Sequence, residues 1–144
     1  MLTEKDKIEQ FKRDLRSYKY HQKMIEELQW KIEELNVKIE GVSSPTVKPT
    51  VIENGRDPYQ DKKNEYWHEE EALVIERNKH LNEITKIDNY LSKVEEGERK
   101  ILVDVYINRK RIDSLDYVYL SIAQTKRTID KIIKHILQDD TQYG

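Results

Sequence analysis

Single apolar residues at alternating steps of three and four, set in long runs of charge, constrain this chain more than anything else in it. Ile8, Phe11, Leu15 and Tyr18 step by three, four and three. Ile25, Leu28, Ile32, Leu35 and Ile39 repeat the alternation. Such spacing is the stripe of a helix that buries one narrow face, and its phase slips once near His21, as in a coiled-coil stammer. Pairs such as Glu27–Lys31 and Glu34–Lys38 support the solvated face. The spacing predicts one helix over residues 1–40, closed at Gly41 by a left-handed cap.

Residues 41–57 carry Pro45, Pro49 and Asn54-Gly55 with no amphipathic period, which reads as a flexible linker. Asp57-Pro58 then restarts the chain, with Asp57 as N-cap and proline at the first helical position. A second long helix is predicted over 58–95. Tyr66, Leu73, His80, Ile84, Ile87, Leu91 and Val94 lie on one seam, with Trp67, Val74 and Leu81 beside it. Two such helices fold back as a hairpin. Their burial is thin, so a second copy of the chain, most simply in a dimer, is expected to complete it.

Composition narrows the class further. With 38% of residues charged and 36% hydrophobic, the chain lacks material for a large globular core. Its 26 basic and 28 acidic side chains nearly cancel, unlike those of a strongly charged disordered chain. There is no cysteine, which excludes disulfides, thiolate metal sites and cysteine nucleophiles. The longest aliphatic run, Ala72-Leu73-Val74-Ile75, is far too short to cross a bilayer, and the start has no apolar signal segment. The expectation is an all-α protein of the cytoplasm with no membrane contact.

After Gly97 the texture changes. Apolar density rises and the pattern breaks into pieces over Glu98–Ile107, Asp113–Ala123 and Thr125–Leu137. From Glu98 to Leu137 nine basic residues face five acidic ones, a net of +4, so the remainder of the chain carries −6. A basic C-terminal unit behind an acidic helical part points to a polyanionic partner. The segment Ser114-Leu115-Asp116-Tyr117-Val118-Tyr119-Leu120-Ser121-Ile122 runs into Ala123-Gln124-Thr125-Lys126-Arg127-Thr128-Ile129-Asp130-Lys131-Ile132. It resembles the helix-turn-helix of sigma-factor region 4. Val118, Ile122, Ile129 and Ile132 would pack the two helices, and Thr125 would be the N-cap of the second. Ile101, Leu102, Val105 and Tyr106 would face inward from a supporting helix. A helix-turn-helix domain is therefore expected over 98–138.

The order of parts, from the long helix through the Ser/Pro linker and second helix to the region-4-like end, resembles phage and prophage regulators of the RinA and ArpU late-activator type. The resemblance spans about Tyr18 to Leu137, and only the last forty residues carry specific motifs. It implies a sequence-specific DNA-binding transcriptional regulator, an activator of phage packaging, morphogenesis or lysis genes in a bacterial host cell. Double-stranded DNA is the expected partner, and activation would add host RNA polymerase.

The exposed side of the last helix assigns Thr125, Lys126, Arg127, Thr128, Asp130, Lys131 and Lys134 to DNA. Arg127 and Lys126 would lie near base edges, and Lys131 and Lys134 on phosphates. Arg109, Lys110 and Arg111 form either a second phosphate clamp or a solvated loop. No enzyme, cofactor or metal is expected. Glu65-x-x-His68 has no second copy to build a di-iron site, and His21, His68, His80 and His135 are scattered. No phosphate loop or Ser-His-Asp cue is present. The nine tyrosines mostly follow the helical stripes and suit packing better than base stacking. Two rival readings remain, a helical scaffold and a small phage packaging subunit.

Overall fold

A computed structural model describes residues 2–42 and 58–138. The protein is all-α: 84% of the described residues are helical and none is in a strand. Among the described residues five α-helices follow in order, α1 (Glu4–Arg16), α2 (Tyr18–Val42), α3 (Pro58–Leu91), α4 (Glu96–Leu102) and α5 (Ile122–Leu137). A π-helical turn, Val103–Ile107, continues α4, and a 3₁₀ turn lies at Ile112–Ser114.

The N-terminal stripe folds into helix, with an interruption at Ser17 instead of one unbroken helix over 1–40. Thr3 and Asp6 open α1 with reciprocal side-chain caps. At its end the Ser17 hydroxyl donates to the Asp14 carbonyl at 2.7 Å, while the Ser17 N–H is shared between the carbonyls of Arg13 and Asp14. A serine competing for backbone carbonyls bends a helix, and the slip in the apolar phase nearby tolerates the bend. Gly41 does not cap α2, which runs through Val42. Asp57 and linker residues 43–57 lie outside the described residues.

The contacts divide the chain into two compact units. One runs from Gln22 to Asn82; the other joins the chain up to His21 with the chain from Glu83 onward. In the first, Leu28, Ile32 and Leu35 of α2 are buried, and Tyr66, Leu73, Val74 and His80 of α3 are half-buried. Arg77 Nη1 donates to Gln29 Oε1 at 2.6 Å, tying α3 to α2.

The second unit holds the main core. Phe11 and Leu15 of α1 pack with Ile87, Tyr90, Leu91 and Val94, with Leu102, Tyr106 and Ile107, and with Ile129, Ile132, Ile133, Ile136 and Leu137 of α5. The sequence division into a 1–40 helix and a separate 98–138 domain is thereby redrawn, because α1 belongs with the C-terminal helices. Phe11 meets Tyr90 edge-on with centroids 5.5 Å apart, and Lys86 pairs with Asp14 at 3.7 Å, so α1 runs antiparallel to the end of α3. The second helix ends at Leu91, short of residue 95. Arg99 closes it, donating from Nε to the Leu91 carbonyl at 3.0 Å and from Nη2 to the Val94 carbonyl at 3.2 Å.

Candidate nucleic-acid interface

The local structure around α5 differs from the expected helix-turn-helix. Residues 113–121 hold only the end of the 3₁₀ turn and irregular chain where the first helix of the motif was expected. The reason lies in which residues turn inward. Leu115 is buried, and Tyr117 is held inward by its hydroxyl, which donates to Asp104 Oδ2 at 2.5 Å. Leu115 leads into a turn at Asp116-Tyr117, where the Val118 N–H donates to the Leu115 carbonyl at 3.5 Å, and this turn stands in place of the expected helix. Asp104 is itself buried, and it also accepts from Asn108 at 3.2 Å and pairs with Lys110 at 3.6 Å. The bond from Tyr117 leads the interactions that hold this carboxyl below its ordinary range, and burial and Asp104 push the Tyr117 phenol up.

The start of α5 is likewise earlier than expected. Ser121, not Thr125, is the N-cap: its hydroxyl accepts from the Gln124 N–H, and Gln124 Oε1 accepts from the Ser121 N–H, both at 3.2 Å. Thr125 is one turn inside the helix and buried, its hydroxyl donating to the Ser121 carbonyl at 2.8 Å. It therefore packs in the core. Ile129 and Ile132 face inward as the spacing predicts and Val118 is half-buried, whereas Ile122 is exposed at the helix start. Of the supporting helix, Leu102 and Tyr106 are buried, and Ile101 and Val105 pack partly buried against the same core.

Thr125, Ile129, Ile132, Ile133, Ile136 and Leu137 anchor α5, so its opposite face is fixed by packing. Arg127, Lys131 and Lys134 stand on that face at steps of four and three, each exposed, with Lys126 exposed beside them. Thr128 is half-buried, and its hydroxyl donates to the Gln124 carbonyl at 2.9 Å. Asp130 turns towards α1, where it pairs with Lys12 at 2.8 Å. Partial burial works against the Lys12 charge, yet the hydrogen bond to Asp130 and neighbouring charges outweigh it and raise the pKa. Lys134 pairs with Glu4 at 3.2 Å, both side chains being more than half exposed, so this contact is weak and readily exchanged.

The connection before α5 is more engaged than its sequence suggests. Arg109 has φ of 55° and donates to the Arg16 carbonyl at 3.4 Å; Lys110 faces Asp104, and Arg111 pairs with Asp113 at 2.9 Å. The structure also adds cations that sequence order hides. Lys7 of α1 joins Lys131 and Lys134 around a cleft of about 430 Å³ that Glu4, Ile8, His135 and Leu137 also line. Arg16 and Lys12 lie over the Tyr106 ring, 5.3 and 5.9 Å from its centroid. Nothing local in residues 7–16 signals this; only the docking of α1 does.

Among the described residues no group of His, Asp and Glu is placed to hold a metal ion, and no helix is long and apolar enough to cross a membrane. A scan of protein-family models, a search of curated proteins and a search of solved structures each returned no match. What the fold and the face define is an all-α protein with a packed helix presenting a cationic stripe.

Proposed function

We propose that the protein is a sequence-specific DNA-binding transcriptional regulator that lays the outward face of α5 against double-stranded DNA. The observation that carries the reading is the stripe of Arg127, Lys131 and Lys134 on a helix whose other side is locked into a core. A rigid helix with cations on successive turns matches the spacing of phosphates beside a groove, and it loses little side-chain and backbone freedom on binding. Arg127, near the helix start, has the planar fork suited to guanine; Lys131 and Lys134 suit phosphates. Lys7 adds a cation beside Lys131 and Lys134, with Glu4 the carboxylate among them. The resemblance of the last forty residues to region-4-like helix-turn-helix regulators supports the reading through the inward positions of α5, less through the segment before it. Activation of phage late genes, with host RNA polymerase as the further partner, rests on that resemblance alone.

A second reading, a helical interaction protein, draws on one observation. Tyr119, Leu120 and Ile122 are 93%, 50% and 47% exposed at the start of α5, a small apolar tip that suits a protein partner. Fluorescence anisotropy with a labelled random 30-base-pair duplex, at low salt, separates the two. The DNA reading expects binding by the full chain that weakens about tenfold or more in the Arg127→Ala/Lys131→Ala double variant. Absence of binding by the unaltered chain would reject it in favour of the protein partner.

A further inference from the structure

In the unit from Gln22 to Asn82, α3 carries two apolar columns. Tyr66, Leu73 and His80 are half-buried. Trp67, Val74 and Leu81 form the second, spaced by seven; Trp67 and Leu81 remain 45% and 39% exposed, and Val74 is half-buried. A lone exposed tryptophan needs no explanation. Three apolar residues at heptad spacing make a straight seam of the kind that faces another helix.

We infer that this seam is the interface between two copies of the chain, α3 against α3 in antiparallel array about a two-fold axis at Val74. The spacing is symmetric about that residue. Trp67 and Leu81 stand seven positions to either side, so the axis sets the large Trp67 of each copy against Leu81 of the other. The flanks are complementary under the same operation: Glu71 meets Arg77 and Glu70 meets Asn78, with no like charges opposed. Arg77 supplies an independent observation. Its Nη1 donates to Gln29 at 2.6 Å and its Nη2, at the exposed edge, to Asn78 at 3.4 Å, both neutral amides. Glu71, exposed one turn before Val74, brings from the second copy a carboxylate to the exposed Nη2 edge of this guanidinium, which meets only neutral amides within its own chain.

The outward face of α2 also shows two apolar residues at heptad spacing, Trp30 and Val37, 64% and 69% exposed. Paired with itself about a two-fold axis midway between them, that face opposes Glu33 to Glu34 and Glu27 to Glu40. Carboxylates facing carboxylates disfavour the pairing, so charge selects α3. The seam from Trp67 to Leu81 is about 21 Å long at 1.5 Å per residue, which suits a weak, concentration-dependent dimer.

The absence of cysteine makes the interface directly readable. Single variants of the full chain, Val74→Cys at the axis, Glu76→Cys on the far side of α3 and Val37→Cys on α2, are oxidised gently at about 100 μM protein. The Val74→Cys variant is expected to form the disulfide-linked dimer about tenfold faster than either other, because only its two thiols are held together. Sedimentation equilibrium of the unaltered chain is expected to show a mass rising with concentration from 17.4 kDa towards twice that value. Trp67→Ala/Leu81→Ala should remain at the monomer mass with its helical circular dichroism retained; if it loses helix, the cross-linking order decides. A constant monomer mass, or fastest cross-linking at position 37 or 76, overturns the inference. Its failure would leave the DNA reading intact, since neither readout involves DNA.

Discussion

Replacing Phe11 by alanine should unfold the far end of the chain in sequence. Phe11 is fully buried on α1 and sits edge-on to Tyr90, within the cluster that contains Ile129, Ile132 and Ile133 of α5. Truncating a buried phenylalanine costs about 3–5 kcal/mol, of which the edge-on ring contact supplies about 0.5–1.5 kcal/mol. A unit of roughly 80 residues has about 4–12 kcal/mol to lose at 0.05–0.15 kcal/mol per residue. Phe11→Ala therefore removes about a quarter or more of the stability of this unit. Native-state hydrogen exchange reads the effect: the amides of Ile129, Ile132 and Ile133 should exchange about a thousandfold faster than in the unaltered chain. Trp30→Ala, at a side chain 64% exposed in the other unit, should leave them within about 0.5 kcal/mol. Unchanged protection in α5, with only α1 losing its own, would refute the assignment of α1 to this core.

Three further outcomes follow from local geometry. Ser121→Ala should cost about 1 kcal/mol in urea unfolding through loss of the N-cap, whereas Thr125→Ser, which keeps the hydroxyl and removes a buried methyl, should cost about as much through packing. Arg109→Gly should raise stability by about 1 kcal/mol, because φ of 55° strains a side chain that makes only one long hydrogen bond there. Tyr18 donates to Asp88 at 2.8 Å, and burial, with that bond, pushes its phenol up to about 12. A folded-state pKa above the ordinary 10.0 means the contribution is full below pH 10 and is lost as pH rises towards 12. Spectroscopic titration should find Tyr18 among the late-ionising tyrosines, with Tyr106 and Tyr117, and Tyr18→Phe should remove one phenol from that late group together with part of the alkaline loss of stability.

The helical class was readable because burial follows the three–four stripe wherever that stripe is unambiguous. Phe11, Leu15, Leu28, Ile32, Leu35, Ile87, Leu91 and Val94 are all buried. Periodicity, however, says that a face is covered and not by what. The N-terminal stripe gave no sign that Phe11 and Leu15 lie under α5 while Leu28 and Ile32 belong to another unit. Residues 113–121 differ from the expected helix because Leu115, Tyr117 and Val118 are equally apolar in a helix or a turn, and the buried partner that decides, Asp104, is charged. The true start of α5 was present in the sequence as Ser121-x-x-Gln124, a capping box overshadowed by the nearer hydroxyl of Thr125. In the candidate interface, Arg127, Lys131 and Lys134 could be placed outward from Ile129 and Ile132 alone. The turning of Asp130 to Lys12 and the arrival of Lys7 depend on contacts across more than a hundred residues.

The salt dependence of duplex binding tests the functional proposal most directly. Anisotropy titrations at several salt concentrations, with the unaltered chain, Arg127→Ala and Lys131→Ala, give the slope of log affinity against log salt. If the outward face of α5 lies on DNA, the unaltered chain has a steep negative slope, and Lys131→Ala makes it shallower by about 0.9, one phosphate contact. Arg127→Ala weakens binding and relaxes sequence preference on a selected site, by about 1–3 kcal/mol. A duplex that does not bind at low salt, or affinities and slopes identical in all three proteins, would contradict the proposal.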